Sequence, residues 1–203
     1  MRIGIVGAGN IGGTIGRAWA MQGHDILFGV RDPATAQMES LLDRIAGNAR
    51  AVSIEDAARF GEAVLLAVPG AAVGALVPRL REHLTDKIVL DATNNVRAPV
   101  MNALATLQEQ APTASVYRVF NSIGWENFAH PTIHGEQIDH FYCGPGGRDQ
   151  VIVDDLVADV GVRPVYVGGL DKAELVDNLT RLWFTLAYDR ELGRRLALKM
   201  LRD

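Results

Sequence analysis

The stretch RIGIVGAGNIGGTIGRAWAMQG, residues 2–23, decides the fold class of this chain. Its apolar opening, RIGIVG, has strand character and runs directly into Gly7-Ala8-Gly9-Asn10-Ile11-Gly12. The segment from Ile11 to Gly23 reads as a helix. In a strand, glycine turn and helix of this kind, Gly7 allows the tight turn and Gly9 lets the backbone approach a pyrophosphate. Gly12 lets helix and strand pack closely, while the free amides at the helix start face the anion. A G-x-G-x-x-G alone is a weak signal. Here the strand, the helix and a second strand, DILFGV at 25–30, all fall within about 30 residues. Dinucleotide binding is therefore preferred over a purely structural glycine turn.

The end of that second strand carries the next piece of information. It reads FGVRD at 28–32, about 20 residues past the turn, where an acidic side chain would bind the ribose 2′-hydroxyl of NAD. Gly29 has no side chain to offer, and the residue that follows Val30 is Arg31. A guanidinium, with forked donors and permanent charge, suits a 2′-phosphate. The plain alternative is a solvated arginine, and Asp32 could pair with it or reach a 2′-hydroxyl itself. NADP(H) is the expected cofactor.

Outward from this unit, short apolar runs alternate with amphipathic segments, the pattern of a doubly wound parallel sheet of Rossmann type. Further strands are predicted at 51–53, 63–68, 87–92 and 115–120, with helices between them. Runs this apolar suit strands buried on both faces. Pro78 must lie early in its helix or kink it. After residue 121 the rhythm changes to a loop, then strands at 139–144 and 163–168 around a helix candidate. A long helical segment is expected from about Asp171 to Leu201. Leu175, Leu179, Leu182 and Leu186 give it one apolar stripe. Residues 1–122 are expected to form the dinucleotide-binding domain. Residues 123–203 would be a small α/β extension docked on it, serving the acceptor side and dimerisation.

Composition narrows the function classes. A chain of 203 residues with 48% hydrophobic and 22% charged residues is of ordinary globular type. Its net charge of -4 argues against nucleic acid or an anionic membrane as partner. The single cysteine, Cys143, allows neither an internal disulfide nor a cysteine zinc cluster. The most apolar stretch, 63–78, is broken by Pro69, Gly70 and Gly74 and is too short to span a bilayer. No segment reads as a signal peptide, and a cytoplasmic location is expected.

In an open parallel sheet, ligands bind beyond the carboxyl ends of the strands. Val68-Pro69-Gly70, Thr93-Asn94-Asn95 and Asn121-Ser122-Ile123 should converge there, offering short polar groups and approachable backbone for a nicotinamide. The same residue types also favour turns. No Tyr-x-x-x-Lys dyad or glycine-flanked serine is present, and no metal-ligand spacing is recognisable. His130 and His134, in the loop after the sixth strand, are the candidates for a catalytic proton donor, although loop histidines are more often solvated. Hydride transfer between two redox cofactors mainly needs ring alignment, which such a site could supply.

The segments GAGNIGGTIGRAWAMQGHDILFGVRD, AVLLAVP, KIVLDATN, VFNSIG, FYCG and LTRLWFTLAY together resemble the F420-dependent NADP reductase family along nearly the whole chain. Related domains form the cytosolic part of membrane ferric reductases. The resemblance implies hydride transfer between NADPH and the deazaflavin coenzyme F420, or a flavin-like acceptor. It implies that Gly9, Asn10 and Ile11 hold the pyrophosphate, Arg31 the 2′-phosphate, and Val68 and Pro69 the nicotinamide. Ile123, Gly124 and Trp125 fall at the acceptor-side loop. Two other readings remain open: an NADPH-dependent imine or ketone reductase, and a non-catalytic NADP(H)-sensing protein. The apolar terminal segment, with Trp183 and Phe184, suggests a homodimer or packing on the main domain.

Overall fold

The computed structural model describes residues 1–45 and 47–202. Its centre is a six-stranded parallel sheet in the order β3-β2-β1-β4-β5-β6. The strands are β1 (Arg2–Val6), β2 (Asp25–Gly29), β3 (Ala49–Val52), β4 (Ala63–Leu66), β5 (Ile88–Asp91) and β6 (Ser115–Arg118). β4 and β5 are buried at every position, as expected of strands covered on both faces. Helices α1 (Asn10–Met21), α2 (Ala36–Leu42), α3 (Ile54–Phe60), α4 (Val73–Leu84) and α5 (Leu104–Gln110) connect them. Pro78 lies within α4, at its sixth position, rather than in its first turn.

Alternate side chains of each strand feed two cores. Ile3, Ile5, Phe28, Leu65 and Leu90 pack on one face with Ile15 and Trp19 of α1. Val6, Val64, Leu66 and Val89 pack on the other with Val77 and Leu80 of α4 and Leu107 of α5. Each fully buried aliphatic side chain of this kind stabilises the fold by roughly 1.5–3 kcal/mol.

Beyond β6 the chain forms α6 (Trp125–Ala129), a hairpin of β7 (Thr132–Ile133) and β8 (Glu136–Gln137), then β9 (Asp139–Tyr142), α7 (Arg148–Asp159) and β10 (Arg163–Tyr166). β9 and β10 pair in parallel. An antiparallel bridge between Arg118 and Cys143 joins this pair to the edge of the main sheet. On α1, the Trp19 indole donates to the Leu156 carbonyl at 2.7 Å, tying α7 to the first core.

The terminal segment departs from the sequence expectation. α8 covers only Ala173–Phe184, followed by a wide turn at Thr185–Asp189. Glu191 and Gly193 then adopt positive φ, and residues 194–202 run back without helical structure. That return is held by hydrogen bonds that a continuous helix could not make. The Trp183 indole donates to the Leu196 carbonyl at 3.0 Å, and the Met200 amide to Asp139 Oδ2 at 2.7 Å. The leucine stripe also faces differently. Ala173, Val176, Thr180 and Trp183 point inward, while Leu175 and Leu182 are 54% and 44% exposed. Among the described residues, no helix is long and apolar enough to cross a membrane.

Candidate functional site

Strand register assembles the site. Val6 lies opposite both Gly29 and Leu66, Leu66 opposite Asp91, and Asp91 opposite Arg118. The five strands therefore end on one edge, and the segments after them gather there. The Gly7 amide donates to the Gly29 carbonyl at 3.0 Å, which brings the glycine turn beside the FGVRD strand end.

The turn is built as its glycines require. Gly7 has φ +102°, the left-handed region that favours glycine. A Cβ on Gly12 would stand 2.0 Å from the Gly7 carbonyl oxygen, so nothing larger fits between helix and turn. A Cβ on Gly9 would meet nothing within 4 Å. The space before α1 is thus an open cradle. Thr35 caps α2 by accepting from the Met38 amide, and Ser53 caps α3 by accepting from that of Asp56. At α1 the capping position is Gly9, and no side chain takes its first amides. A 12-residue helix with uncapped amides facing open space favours an anion. The pyrophosphate of a dinucleotide fits this cradle.

Arg31 is exposed beyond β2 and makes no ion pair among the described residues. Asp32 does not pair with it. Its Oδ1 accepts from the Ala34 amide at 3.0 Å, closing a local turn. The guanidinium is left available beside the glycine turn.

At the opposite end, the candidates after β4, β5 and β6 do converge. Gly70 donates through its amide to the Asn94 carbonyl at 3.3 Å, and the Asn94 side chain donates to the Asn121 carbonyl at 2.8 Å. Val68 is half-buried and Pro69 exposed beside them. Asn121 is buried; its Nδ2 donates to Thr180 Oγ1 at 2.9 Å, whereas its Oδ1 has no partner. Beneath this cluster lies a group that sequence reading missed. Arg118 is fully buried, with Nε donating to Asp177 Oδ1 at 2.8 Å and Nη2 to Asn94 Oδ1 at 2.6 Å. Nη1 lies 3.3 Å from Asp91 Oδ2 and also donates to the Asp91 and Thr93 carbonyls. Asp91 is further held by the Thr93 hydroxyl and the Ala103 amide. Arg118 thereby fixes which way the Asn94 amide points. A signal was present: Arg118 and Asp91 are charged residues inside otherwise apolar strand runs.

The acceptor-side candidates separate. Ile123 and Gly124 are buried, and a Cβ on Gly124 would meet the Trp183 ring at 2.8 Å. Trp125 alone of the three faces open space. With Phe128 and Ala129 of α6 it walls a cleft of about 430 Å³ that begins at Ala8, Gly9 and Asn10 and follows α1. His130 and His134 do not line this cleft. His130 ends α6 and His134 sits in the β7–β8 turn with φ +50°, both exposed.

His140 is the histidine the fold buries completely. Its Nε2 accepts from the Phe120 amide at 2.7 Å, so the ring is neutral with its proton on Nδ1, and Nδ1 has no partner. The ring stacks on Phe120 at 5.3 Å between centroids. Burial pushes its pKa down to about 3. Cys143, also buried, has its thiol pushed up to about 11 by the same cause, which keeps it unreactive. Among the described residues, no group of His, Cys, Asp or Glu is placed to hold a metal ion.

Comparison with known proteins bears on this site. Residues 2–95 match the family model described as NADP oxidoreductase, coenzyme F420-dependent. Among solved structures, a provisionally named F420-dependent NADP-reductase from Arthrobacter sp. FB24 is 24% identical. The match covers all of both chains, with a TM-score of 0.86. An imine reductase from Streptomyces aurantiacus is 17% identical over 95% of this chain and 63% of its own, with a TM-score of 0.69. One from Aspergillus terreus, solved with NADPH4 and dibenz[c,e]azepine, is also 17% identical, over 94% and 62%, with a TM-score of 0.68. At these identities the structural likeness establishes the Rossmann-type fold.

Proposed function

We propose that this protein, whose residues 2–95 match the model of coenzyme F420-dependent NADP oxidoreductases, belongs to that family and passes hydride between NADPH and a deazaflavin or flavin-like acceptor. The observation that carries this reading is the open cradle at Gly9 with Trp125 on the wall beside it. One dinucleotide group and one planar partner fit side by side there. NADPH supplies a hydride from its nicotinamide, and the acceptor takes that hydride with one proton from solvent.

The protein's own part is placement. The amides after Gly9 hold the pyrophosphate through the helix dipole. Arg31, unpaired at the ribose end, holds the 2′-phosphate. Val68, Pro69, Asn94 and Asn121 shape the nicotinamide end without adding net charge, and Arg118 keeps the Asn94 amide oriented from below. Two rings held face to face convert an encounter into an intramolecular step. Residues 123–203 carry the acceptor side, and the exposed Leu175 and Leu182 of α8 carry a homodimer contact within the same reading.

Imine reduction is the second reading, favoured by the likeness to the two imine reductases. It requires a proton donor at the imine nitrogen, while the imine carbon takes the hydride from NADPH. His130 and His134 lie outside the Trp125 cleft, which favours hydride transfer between two cofactor-like rings.

Tryptophan-quenching titrations with NADPH and NADH, on wild type and Arg31→Ala, test the cofactor assignment. NADPH should bind at least about tenfold more tightly, and Arg31→Ala should erase the difference, as expected for one charge-assisted contact. Turnover of NADPH with coenzyme F420 or FMN tests the acceptor. Tight NADPH binding without turnover on either compound, or on a cyclic imine, would favour the sensing alternative.

A further inference from the structure

Resting on that reading, we propose that the cleft along α1 recognises the hydride acceptor by an anionic tail: the planar ring lies on Trp125, and Arg17 and Arg44 receive a phosphate or carboxylate. The cleft is a trough with α1 as its floor. Thr14, Arg17 and Met21 line it at spacings of three and four, which places them on one helix face. Leu41 and Arg44 form one side and Trp125 the other. Its volume of about 430 Å³ lies within the range of small-molecule sites.

The charge pattern identifies the ligand class. Several arginines of the chain pair with acids, among them Arg59 with Asp56, Arg79 with Glu55, Arg163 with Asp139 and Arg194 with Glu126, and others such as Arg31 do not. What sets this cleft apart is that two arginines line it and, among the described residues, no acidic residue does. Arg17 and Arg44 have no carboxylate partner among the described residues. Arg44 is instead steadied by its own turn, with Nε donating to the Ser40 carbonyl at 2.8 Å. In a chain of net charge -4, two guanidinia lining one cleft without an acid leave a net positive wall. At one end the trough opens onto the Gly9 cradle, where the nicotinamide dinucleotide would lie. A ring on Trp125 is thus beside the pyrophosphate end of the cofactor, four residues along the chain from Asn121 at the nicotinamide end, and a tail running along α1 reaches Arg17 and Arg44. Met21, 72% exposed, supplies apolar surface at the far end.

FMN and riboflavin share one ring and differ in a phosphate, so they separate the tail from the ring. Each is titrated by its own fluorescence at saturating NADP+, which fills the pyrophosphate cradle and prevents the FMN phosphate from using it. FMN should bind at least tenfold more tightly than riboflavin. Arg17→Ala and Arg44→Ala should each weaken FMN about five- to tenfold and leave riboflavin unchanged. Trp125→Ala should weaken both flavins, and Arg81→Ala, on the exposed side of α4, neither. Equal affinity for the two flavins, no binding of either, or an Arg17→Ala/Arg44→Ala double variant with wild-type FMN affinity would overturn the proposal. NADPH titrations on the same proteins keep the two failures apart. If wild type does not bind NADPH, the functional reading fails. If NADPH binds normally throughout and the phosphate makes no difference, only the tail site fails.

Discussion

The Arg118 guanidinium at the end of β6 lies against the Asp177 carboxylate of α8, with Nη2 2.7 Å from Oδ1 and both side chains buried. This contact joins the terminal helix to the floor of the candidate nicotinamide end, because Arg118 also bonds Asn94 and the Thr93 carbonyl. Asp177→Ala leaves Arg118 paired with Asp91 but takes the acceptor from its Nε and from the Asn102 amide, so it should cost about 1–3 kcal/mol. For a chain of this size that lowers Tm by roughly 5 °C, checked by thermal unfolding with and without NADPH.

Gly9 and Gly12 should respond in opposite ways to the same added methyl group. At Gly12 the Cβ would collide with the Gly7 carbonyl oxygen, so Gly12→Ala should destabilise by about 1–3 kcal/mol or more. At Gly9 the Cβ enters open space, so Gly9→Ala should change stability by no more than about 0.5 kcal/mol. It should instead raise the Kd for NADPH by about tenfold, since the methyl group occupies the pyrophosphate's approach. Paired denaturant and binding titrations read both effects.

His140 predicts a mildly acid-sensitive core. Its folded pKa, about 3, lies below the ordinary value of 6.5 because burial excludes the charged ring. Between those values the unfolded chain binds the extra proton, so stability is complete above about pH 6.5 and falls as pH drops toward 3. From pH 7.5 to pH 5 the loss should be about 2 kcal/mol, at roughly 1.4 kcal/mol per pH unit below the unfolded pKa. Urea unfolding at the two pH values measures it. His140→Phe should be less stable at pH 7.5, having lost the acceptor for the Phe120 amide, and should show a flatter pH dependence.

Glu126 and Arg194 clasp the returning terminus. Arg194 Nη2 donates to Glu126 Oε2 at 3.0 Å, and its guanidinium lies 5.4 Å from the Trp183 ring centre. Burial works to raise the Glu126 carboxyl, but its bonds to Arg194 outweigh this and hold it below the usual range. Its contribution is therefore present above the ordinary glutamate pKa and lost as pH falls through the lower folded value. The pair is partly exposed, so Glu126→Gln should cost only about 1 kcal/mol in total. The local signature should be clearer: faster amide hydrogen exchange at residues 194–200 and a red-shifted Trp183 emission.

The glycine turn could be read from the chain because its determinants are local. Gly7, Gly9 and Gly12 shape it through turn geometry and close packing, and Arg31 is exposed by its position after a strand, all properties of a few consecutive residues. The apolar runs behaved in the same way, each forming its strand within a residue or two of the expected span. The acceptor end was less legible. Ile123, Gly124 and Trp125 are neighbours in sequence, yet Trp183, nearly 60 positions later, covers Gly124 and leaves Trp125 facing the cleft.

What the sequence by itself determined is the doubly wound sheet, the glycine turn before α1 and the exposed guanidinium after β2. Each follows from short-range periodicity, from glycine's freedom at a turn, or from charge. Only the tertiary structure decided that the terminal α-helix gives way after Phe184 to one wider helical turn ending at Asp189 and that the chain then turns back, where helical periodicity had pointed onward to Leu201. The backbone there is satisfied by partners on other elements, such as Asp139 for the Met200 amide. Likewise only the fold brings Asp91, Arg118 and Asp177 together from three elements. Buried charges are stable through their partners, and partners so distant along the chain are chosen by packing.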